Sequence, residues 1–231
     1  MIPPIIILAG GLAKRLMPLT NKIPKSMVYV NTKPFIYYQL KLLEKFQFEK
    51  IIISTGYKGK IIENYIKKNK KINKKNKIFF INDGKIQRGT GGAIKNCLKL
   101  IKKDFFIIYG DSYFNLNFKF VYKSFLGSKK NCLMTVLKND NKYDKSNVLI
   151  KKNKIIEYDK NSSTAKHIDY GVSCFNKHVF SKTKKNFFDL SEINRSLIKK
   201  DEIKLYYVKK RFYEIGTLNG LNQFKNYIKN N

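Results

Sequence analysis

The sequence predicts an α/β fold carried on one mostly parallel sheet, and three observations predict it. Short runs of Ile and Phe recur without polar alternation, as in "PIIILA" (4–9), "KIIIST" (50–55) and "DFFIIYGDS" (104–112). Strands buried on both faces read this way, and parallel sheets bury both faces. Between these runs lie segments with helical apolar spacing, so strand and helix alternate over the first half of the chain. No Pro-, Gly- or Ser-rich linker divides the 231 residues, a length that suits one domain with a sizeable core.

The elements follow in order. "PIIILA" is a strand closed by Gly10-Gly11, and "KPFIYYQLKLLEKFQF" (33–48) is a helix with Ile36, Leu40, Leu43 and Phe46 on one face. "KIIIST" is a second strand and "KGKIIENYIKKNK" (58–70) a second helix that runs out into charge. "KNKIFFIND" (75–83) and "GGAIKNCLKLIKK" (91–103) repeat the pair, and "DFFIIYGDS" is a fourth strand. This rhythm gives a doubly wound sheet with Rossmann-like crossovers. After Asp111 it changes to α+β: "NCLMTVL" (131–137), a hairpin about Lys152-Asn153, "HIDYGVSCF" (167–175), a helix near 190–200, "IKLYYVK" (203–209) and a final helix at 218–229. The lysine-rich stretch 67–77 reads as a solvated loop.

Composition narrows the function classes. A formal charge of +32 suggests a nucleic-acid surface at first sight, but only Arg15, Arg88, Arg195 and Arg211 among the 48 basic residues are arginine. The lysines accompany abundant Ile and Asn, which share A/T-rich codons, and they occur in every segment instead of one stripe. A nucleic-acid footprint has to be clustered, so no dedicated nucleic-acid partner is expected, only a general attraction for anions. Cys97, Cys132 and Cys174 are widely spaced in apolar contexts and read as buried free thiols of a reducing compartment. The N-terminal apolar run is too short for a signal core or a membrane span, so a cytoplasmic protein without a membrane partner is expected.

Ligands of an open parallel sheet bind at the carboxyl ends of its strands. The unusual residues gather there: Gly10 and Gly11, Asp83 with Gly84, "RGTGGA" (88–93) and Gly110-Asp111. Glycines let main-chain N–H groups approach a ligand, and a helix start favours phosphate. Each is also explained by a tight turn without a ligand; their shared edge is the informative feature. The P-loop pattern GxxxxGK[ST] is absent, and GxGxxG fails because Ile94 stands at its third glycine. Asp83 is read either as a turn aspartate or as an acceptor for guanine N1–H and N2–H. His167 and His178 have no catalytic partner nearby in sequence and read as surface or strand-edge residues, while Tyr57, Tyr65 and Tyr109 read as core or rim.

"LAGGLAKRLMPLTNKIPKSM" (8–27) resembles the opening signature of sugar-1-phosphate nucleotidylyltransferases, AGG-x-G-T-R-L-x-P-L-T followed by a K-P or K-S lysine. The resemblance continues in order through "RGTGGA", "YGDSYF", "EYDK", "DYGVSCF" and "RFYEIGT", over roughly residues 3 to 225. The wording of "KSM", "GDSYF" and "HIDYGVS" resembles the heptose-1-phosphate guanylyltransferase and muramate-phosphate uridylyltransferase-like branch. The family implies a single nucleotide-diphospho-sugar transferase domain over 1–231, with a nucleotide-binding half (about 1–115) and a sugar-binding half (about 116–231). It also implies Mg²⁺-dependent attack of a sugar 1-phosphate on the α-phosphorus of GTP, UTP or CTP, for surface polysaccharide. Such chemistry needs cations more than an acid or base, because charge builds on phosphate oxygens.

Carried over residue by residue, the resemblance makes Arg15 the triphosphate clamp and Lys25 the lysine facing the α-phosphate. Leu8, Ala9, Gly10, Gly11, Asp83, Gly89, Thr90 and Gly91 fall at the nucleotide. Asp111 and Glu214 fall at the metal, with Glu214 where the family more often has Asp. Asp159, Lys160, Tyr170 and Gly171 fall at the sugar, with Asp159-Lys160 where Glu-Lys is more usual. Ala13-Lys14 replaces the usual Gly-Thr, and Lys14 either adds a triphosphate contact or points to solvent. A homo-oligomer, a non-catalytic sugar-nucleotide sensor on the same fold, and a lysine-driven RNA binder complete the expectations.

Overall fold

The central strand β1 (Ile5–Ala9) packs Ile5 and Ile7 into the core on one sheet face and Ile6 into the core on the other. A strand covered on both faces has no polar side to alternate, which accounts for its uninterrupted isoleucines. The structure, a computed structural model, describes every residue except 12, 13, 70 and 85, and only the main chain of Lys14. Ala13 and the Lys14 side chain, and with them the question raised by the missing Gly-Thr, therefore lie outside the described residues.

A short ribbon of β2 (Tyr29–Val30) and β3 (Lys33–Pro34) leads into α1 (Phe35–Glu44). Then come β4 (Ile51–Thr55), α2 (Gly59–Lys68), β5 (Ile78–Asn82), α3 (Gly89–Cys97) and β6 (Asp104–Tyr109). The four long strands run parallel in the order β5-β4-β1-β6. The chain winds outward from β1 to β5 and returns on the other side of β1. Its crossovers therefore diverge at the carboxyl ends of β1 and β6, where a crevice opens.

The second half supplies β7 (Ser112–Tyr113), α4 (Phe118–Ser128), β8 (Cys132–Lys138), β9 (Val148–Lys151), β10 (Lys154–Tyr158) and β11 (His167–Asn176). It ends with α5 (His178–Ser181), α6 (Leu190–Lys199), β12 (Ile203–Val208), β13 (Tyr213–Glu214) and α7 (Leu218–Lys229). β11 adds antiparallel to β6 and carries β8 on its other side, with β12 parallel to β8. The described residues thus form one nine-stranded mixed sheet. β9 and β10 are the expected hairpin: Lys152 and Asn153 both take left-handed φ, +46° and +59°, as a twisted two-residue turn requires.

Helices α1, α2 and α4 cover one sheet face and α3, α5 and α6 the other. A smaller cluster of Leu16, Val28, Phe35, Ile215, Leu221 and Phe224 fixes the loop after β1 against α7. Two segments differ from the sequence reading. Helix α4 is not among the elements read from sequence, although Phe118, Val121 and Phe125 bury one helical stripe and the Asn117 side chain caps it. Nor is 67–77 simply solvated: Ile72, Asn73 and Asn76 are buried. Asn73 Nδ2 donates to Leu40 O (2.9 Å), and Asn76 Oδ1 accepts from Phe48 N (2.8 Å). Two asparagines that close main-chain ends were hidden among lysines. No helix among the described residues is long and apolar enough to cross a membrane.

Candidate active site

The crevice at the ends of β1 and β6 is a cavity of about 640 Å³, within the range of small-molecule sites. Leu8, Ala9, Gly10 and Gly11 form one wall, Asp83, Gly89 and Thr90 another, and Lys25 and Asp111 meet at its floor. Gly110 is required by close approach, since a Cβ there would lie 2.8 Å from Leu8 O. That contact lets the turn after β6 lie flat on β1 and brings Asp111 into the cavity lining.

Lys25 opens a single helical turn (Lys25–Met27) after Pro24, and its Nζ donates to Asp111 Oδ2 at 2.7 Å. Both side chains keep only about a fifth of their exposure, 20% and 19%. A charge-assisted bond that is partly dried in this way is much stronger than a surface pair. Arg15 sits in a turn ahead of it, 69% exposed, with Nη2 3.8 Å from Glu214 Oε1. Its guanidinium reaches into solvent over a second recess of about 140 Å³, shared with Arg211 and Glu214.

Asp111 and Glu214 are far apart in sequence, and two very short strands join them. β7 and β13 pair antiparallel with Glu214 opposite Ser112, and Ile215 N donates to Asp111 O at 2.9 Å. Burial, and next the Asp111 charge, push the Glu214 carboxyl up to about 7, while Lys25 and Arg15 pull it the other way. Two carboxylates near enough for Asp111 to raise Glu214 favour added positive charge beyond that of Lys25 and Arg15. Among the described residues no group of three or more potential ligands gathers at one point. A two-carboxylate set suits Mg²⁺, which takes few protein ligands and completes its shell with water and substrate phosphates.

The remaining expected residues divide. Asp83 is buried, lines the cavity and braces two elements: Oδ2 accepts from Ser54 Oγ (3.0 Å) and Oδ1 from Asn96 Nδ2 (3.2 Å). Gly91 does not line the cavity. Its N–H and that of Gly92 donate to Phe188 O at 3.0 and 3.2 Å, so these two α3 amides are already spent. A Cβ on Gly91 would meet the Phe188 ring at 2.2 Å. Close packing against the segment before α6, not phosphate approach, explains this glycine. Thr90 Oγ1 likewise donates to Asp189 Oδ2 (2.9 Å) and accepts from Leu190 N (2.8 Å).

On the sugar side, the Tyr170 ring is in the core, and its hydroxyl contacts Asn115 N (3.3 Å) and Arg211 O (3.4 Å). It supports the wall without reaching the cavity. Asp159 is an exposed turn residue accepting from Asn161 N (2.8 Å). Gly171, with φ +84°, passes beside Tyr109. The residues missed from sequence are Asp169 and Asp189, while the sequence reads Tyr109 as core or rim. Tyr109 lines the cavity, and its hydroxyl is held neutral by burial and by Asp169, Asp189, Asp111 and Glu214 in turn. Asp169 accepts from Tyr158 Oη and Gly171 N, each at 2.9 Å, and burial raises its carboxyl. Lys160 is near enough to act on both Asp169 and Asp189. The signal for Asp169 was in plain view, one residue before the quoted Tyr-Gly.

A mononucleotide-sized crevice at the switch point of a doubly wound sheet, floored by a lysine–aspartate pair, defines a nucleotide-binding α/β protein. Its sequence matches the nucleotidyl transferase family over residues 5–231, and the chain belongs to that family. It is 35% identical over 140 residues to the D-glycero-alpha-D-manno-heptose 1-phosphate guanylyltransferase of Campylobacter jejuni, covering 61% of this chain and 59% of that protein. It is 32% identical over 180 residues to the protein of that name from Aneurinibacillus thermoaerophilus, covering 76% and 75%. The crystal structure of HddC from Yersinia pseudotuberculosis superimposes with a TM-score of 0.82 at 27% identity, over 99% of this chain and all of that one. A second HddC structure, complexed with GMP-PN, gives 0.78 at 28% identity.

Proposed function

We propose that this chain transfers a nucleotidyl group from GTP to a sugar 1-phosphate, with a manno-heptose 1-phosphate as acceptor. The products are a GDP-sugar for surface polysaccharide and pyrophosphate, and the work is done in the cytoplasm. The observation that carries the reading is the Lys25–Asp111 pair at the carboxyl ends of β1 and β6, with Arg15 and Glu214 beside it. UTP and CTP are the alternative donors.

In this reading the nucleotide lies on Leu8–Gly11 with its triphosphate toward Arg15. Asp83 has lone pairs left beyond Ser54 and Asn96 with which to accept from guanine. One Lys25 N–H is spent on Asp111, leaving others for an α-phosphate oxygen. A sugar phosphate oxygen attacks the α-phosphorus in line, the bond to the β-phosphate bridge breaks, and pyrophosphate leaves with the electron pair. Charge grows on nonbridging and leaving oxygens, where Lys25 and Arg15 stabilise it. Asp111 and Glu214 would hold Mg²⁺, which supplies further charge neutralisation on the phosphates. In this reading Asp189, which lines the cavity, with Asp169 and Lys160 near it, meets the sugar hydroxyls and the sugar phosphate.

The test is a matrix of four NTPs against a panel of sugar 1-phosphates, read by pyrophosphate release with Mg²⁺. Release with GTP and a manno-heptose 1-phosphate is expected. Nucleotide binding without release from any pair would replace the enzyme by a sugar-nucleotide sensor. Tight RNA binding with a steep salt slope, in place of nucleotide binding, would replace both.

A further inference from the structure

Helix α1 carries one polar residue on its buried face. Gln39 keeps 1% of its exposure and stands among Phe35, Ile36, Leu40 and Leu43, where the helical pattern asks for an apolar side chain. Its amide is fully committed in one direction. Nε2 donates to Tyr109 O at 2.8 Å and to Ser112 O at 2.7 Å. Oε1 is buried and has no hydrogen-bond partner among the described residues. A lone buried acceptor is costly, and native proteins keep few of them. Neither helix formation nor core packing requires a glutamine here.

The two carbonyls explain it. Tyr109 ends β6 and Ser112 begins β7, and between them lie only Gly110 and Asp111. At this point the chain leaves the sheet, so these carbonyls lose their ladder partners while remaining buried, and such groups must find a donor. One nitrogen takes both and staples the ends of the two-residue segment together. Asp111 itself is tied by Ile215 N to its carbonyl, by Lys25 to Oδ2 and by Ser112 Oγ to Oδ1 (3.3 Å), while Gly110 N beside it donates to Leu8 O.

We infer that Gln39 is a positioning residue, which fixes the Asp111 carboxylate from beneath by bridging the carbonyls of Tyr109 and Ser112. The inference rests on the proposed role of Asp111 for its functional consequence, but the stapling of the turn does not. Gln39 touches neither nucleotide nor metal. Its part is to keep Asp111 where Lys25 and Glu214 can meet it, since a catalytic carboxylate displaced by a fraction of an ångström loses much of its effect.

Three variants test this. Gln39→Met removes both donors with little change of volume. Gln39→Glu keeps the shape but turns acceptor oxygens toward the carbonyls. Leu40→Ala opens a cavity in the same helix one residue away and serves as the packing control. Amide exchange over 109–113, read by mass spectrometry without ligand, should be at least ~10-fold faster in both Gln39 variants than in Leu40→Ala at matched global stability. The Mn²⁺ dissociation constant, read by electron paramagnetic resonance, should rise about 10-fold in the Gln39 variants and not in Leu40→Ala. In turnover the loss should appear in kcat and in the Mg²⁺ needed for half activity, with KM for GTP unchanged. Exchange over 109–113 no faster than in Leu40→Ala would overturn the inference. Because exchange needs no turnover, it reports on Gln39 even if no NTP and sugar phosphate pair reacts.

Discussion

Replacing Glu214 by Gln should stabilise the metal-free protein by an amount that grows as pH rises from about 4.5 and levels off above about 7. The Glu214 carboxyl is raised from 4.5 to about 7, first by burial and second by Asp111. A raised acid is stabilising when protonated. Its contribution is complete below the unfolded value of 4.5 and is lost as pH climbs through about 7. At roughly 1.4 kcal/mol per pKa unit, the ionised form costs about 3 kcal/mol at pH 8 but under about 1 kcal/mol at pH 5. The side chain retains 31% of its exposure, so solvent screening brings the change between the two pH values to about 2 kcal/mol. Gln has the same shape and never ionises. In EDTA, urea unfolding of the variant should therefore match the parent at pH 5 and exceed it by about 2 kcal/mol at pH 8, or roughly 4–8 °C in Tm. An equal difference at both pH values would refute the reasoning, because it would mean that Glu214 is not destabilised by its charge. Activity should move the other way, with the more stable variant the poorer enzyme, as is common where a site stores repulsion.

Other expectations concern separate parts of the site. Arg15→Ala and Lys25→Ala should each lower kcat by at least ~100-fold, the scale of losing one transition-state charge partner; near-normal turnover in both would remove the phosphate-clamp assignment. Asp169→Asn should raise KM for the sugar 1-phosphate about 10-fold and leave KM for the nucleotide alone, a split that steady-state kinetics reads directly. Gly91→Ala should destabilise by about 1–3 kcal/mol through its 2.2 Å clash with Phe188. Phe188→Leu in the same chain should recover part of that loss in a denaturation cycle, whereas a phosphate-contact role for Gly91 would leave activity lost after stability returned.

The parallel half was legible because its strands are buried on both faces. Ile5 to Ile7, Ile51 to Ile53 and Phe105 to Ile108 carry the pattern without help from distant residues. Positions at strand ends, such as Gly10 and Asp111, were legible for the same reason, since finding the strand finds its end. What the sequence concealed depends on long-range contact. β7 and β13 are two residues each and have no periodicity to detect, yet their pairing brings Glu214 to Asp111. Gly91 offered a phosphate motif locally, but Phe188, nearly a hundred residues later, takes its N–H. Tyr170 looked like a sugar contact by its place in "DYGVS", whereas strand alternation turns its ring into the core and its neighbour Asp169 toward Tyr109.

The charge of the chain illustrates where information resides in a biased composition. Lysine is so common here that a lysine at any position carries little meaning by itself, and Lys25 is singled out by its place in the opening signature and by its bond to Asp111. The scarce residues are the informative ones. Three of the four arginines, Arg15, Arg88 and Arg211, line the two recesses. Of only 16 acidic residues, Asp83, Asp111, Asp144, Asp189 and Glu214 line the same recesses, with Asp169 close by. The few acids therefore gather where they repel one another, as the raised Glu214 carboxyl beside Asp111 shows. The diffuse positive field should then act on encounter and not on the chemical step. Raising salt from 50 to 300 mM should lift KM for GTP several-fold and leave kcat nearly unchanged, because screening weakens attraction over distances beyond about 10 Å but not a pair in contact. A kcat that fell in parallel with the rise in KM would place the lysines inside the chemistry and overturn this division.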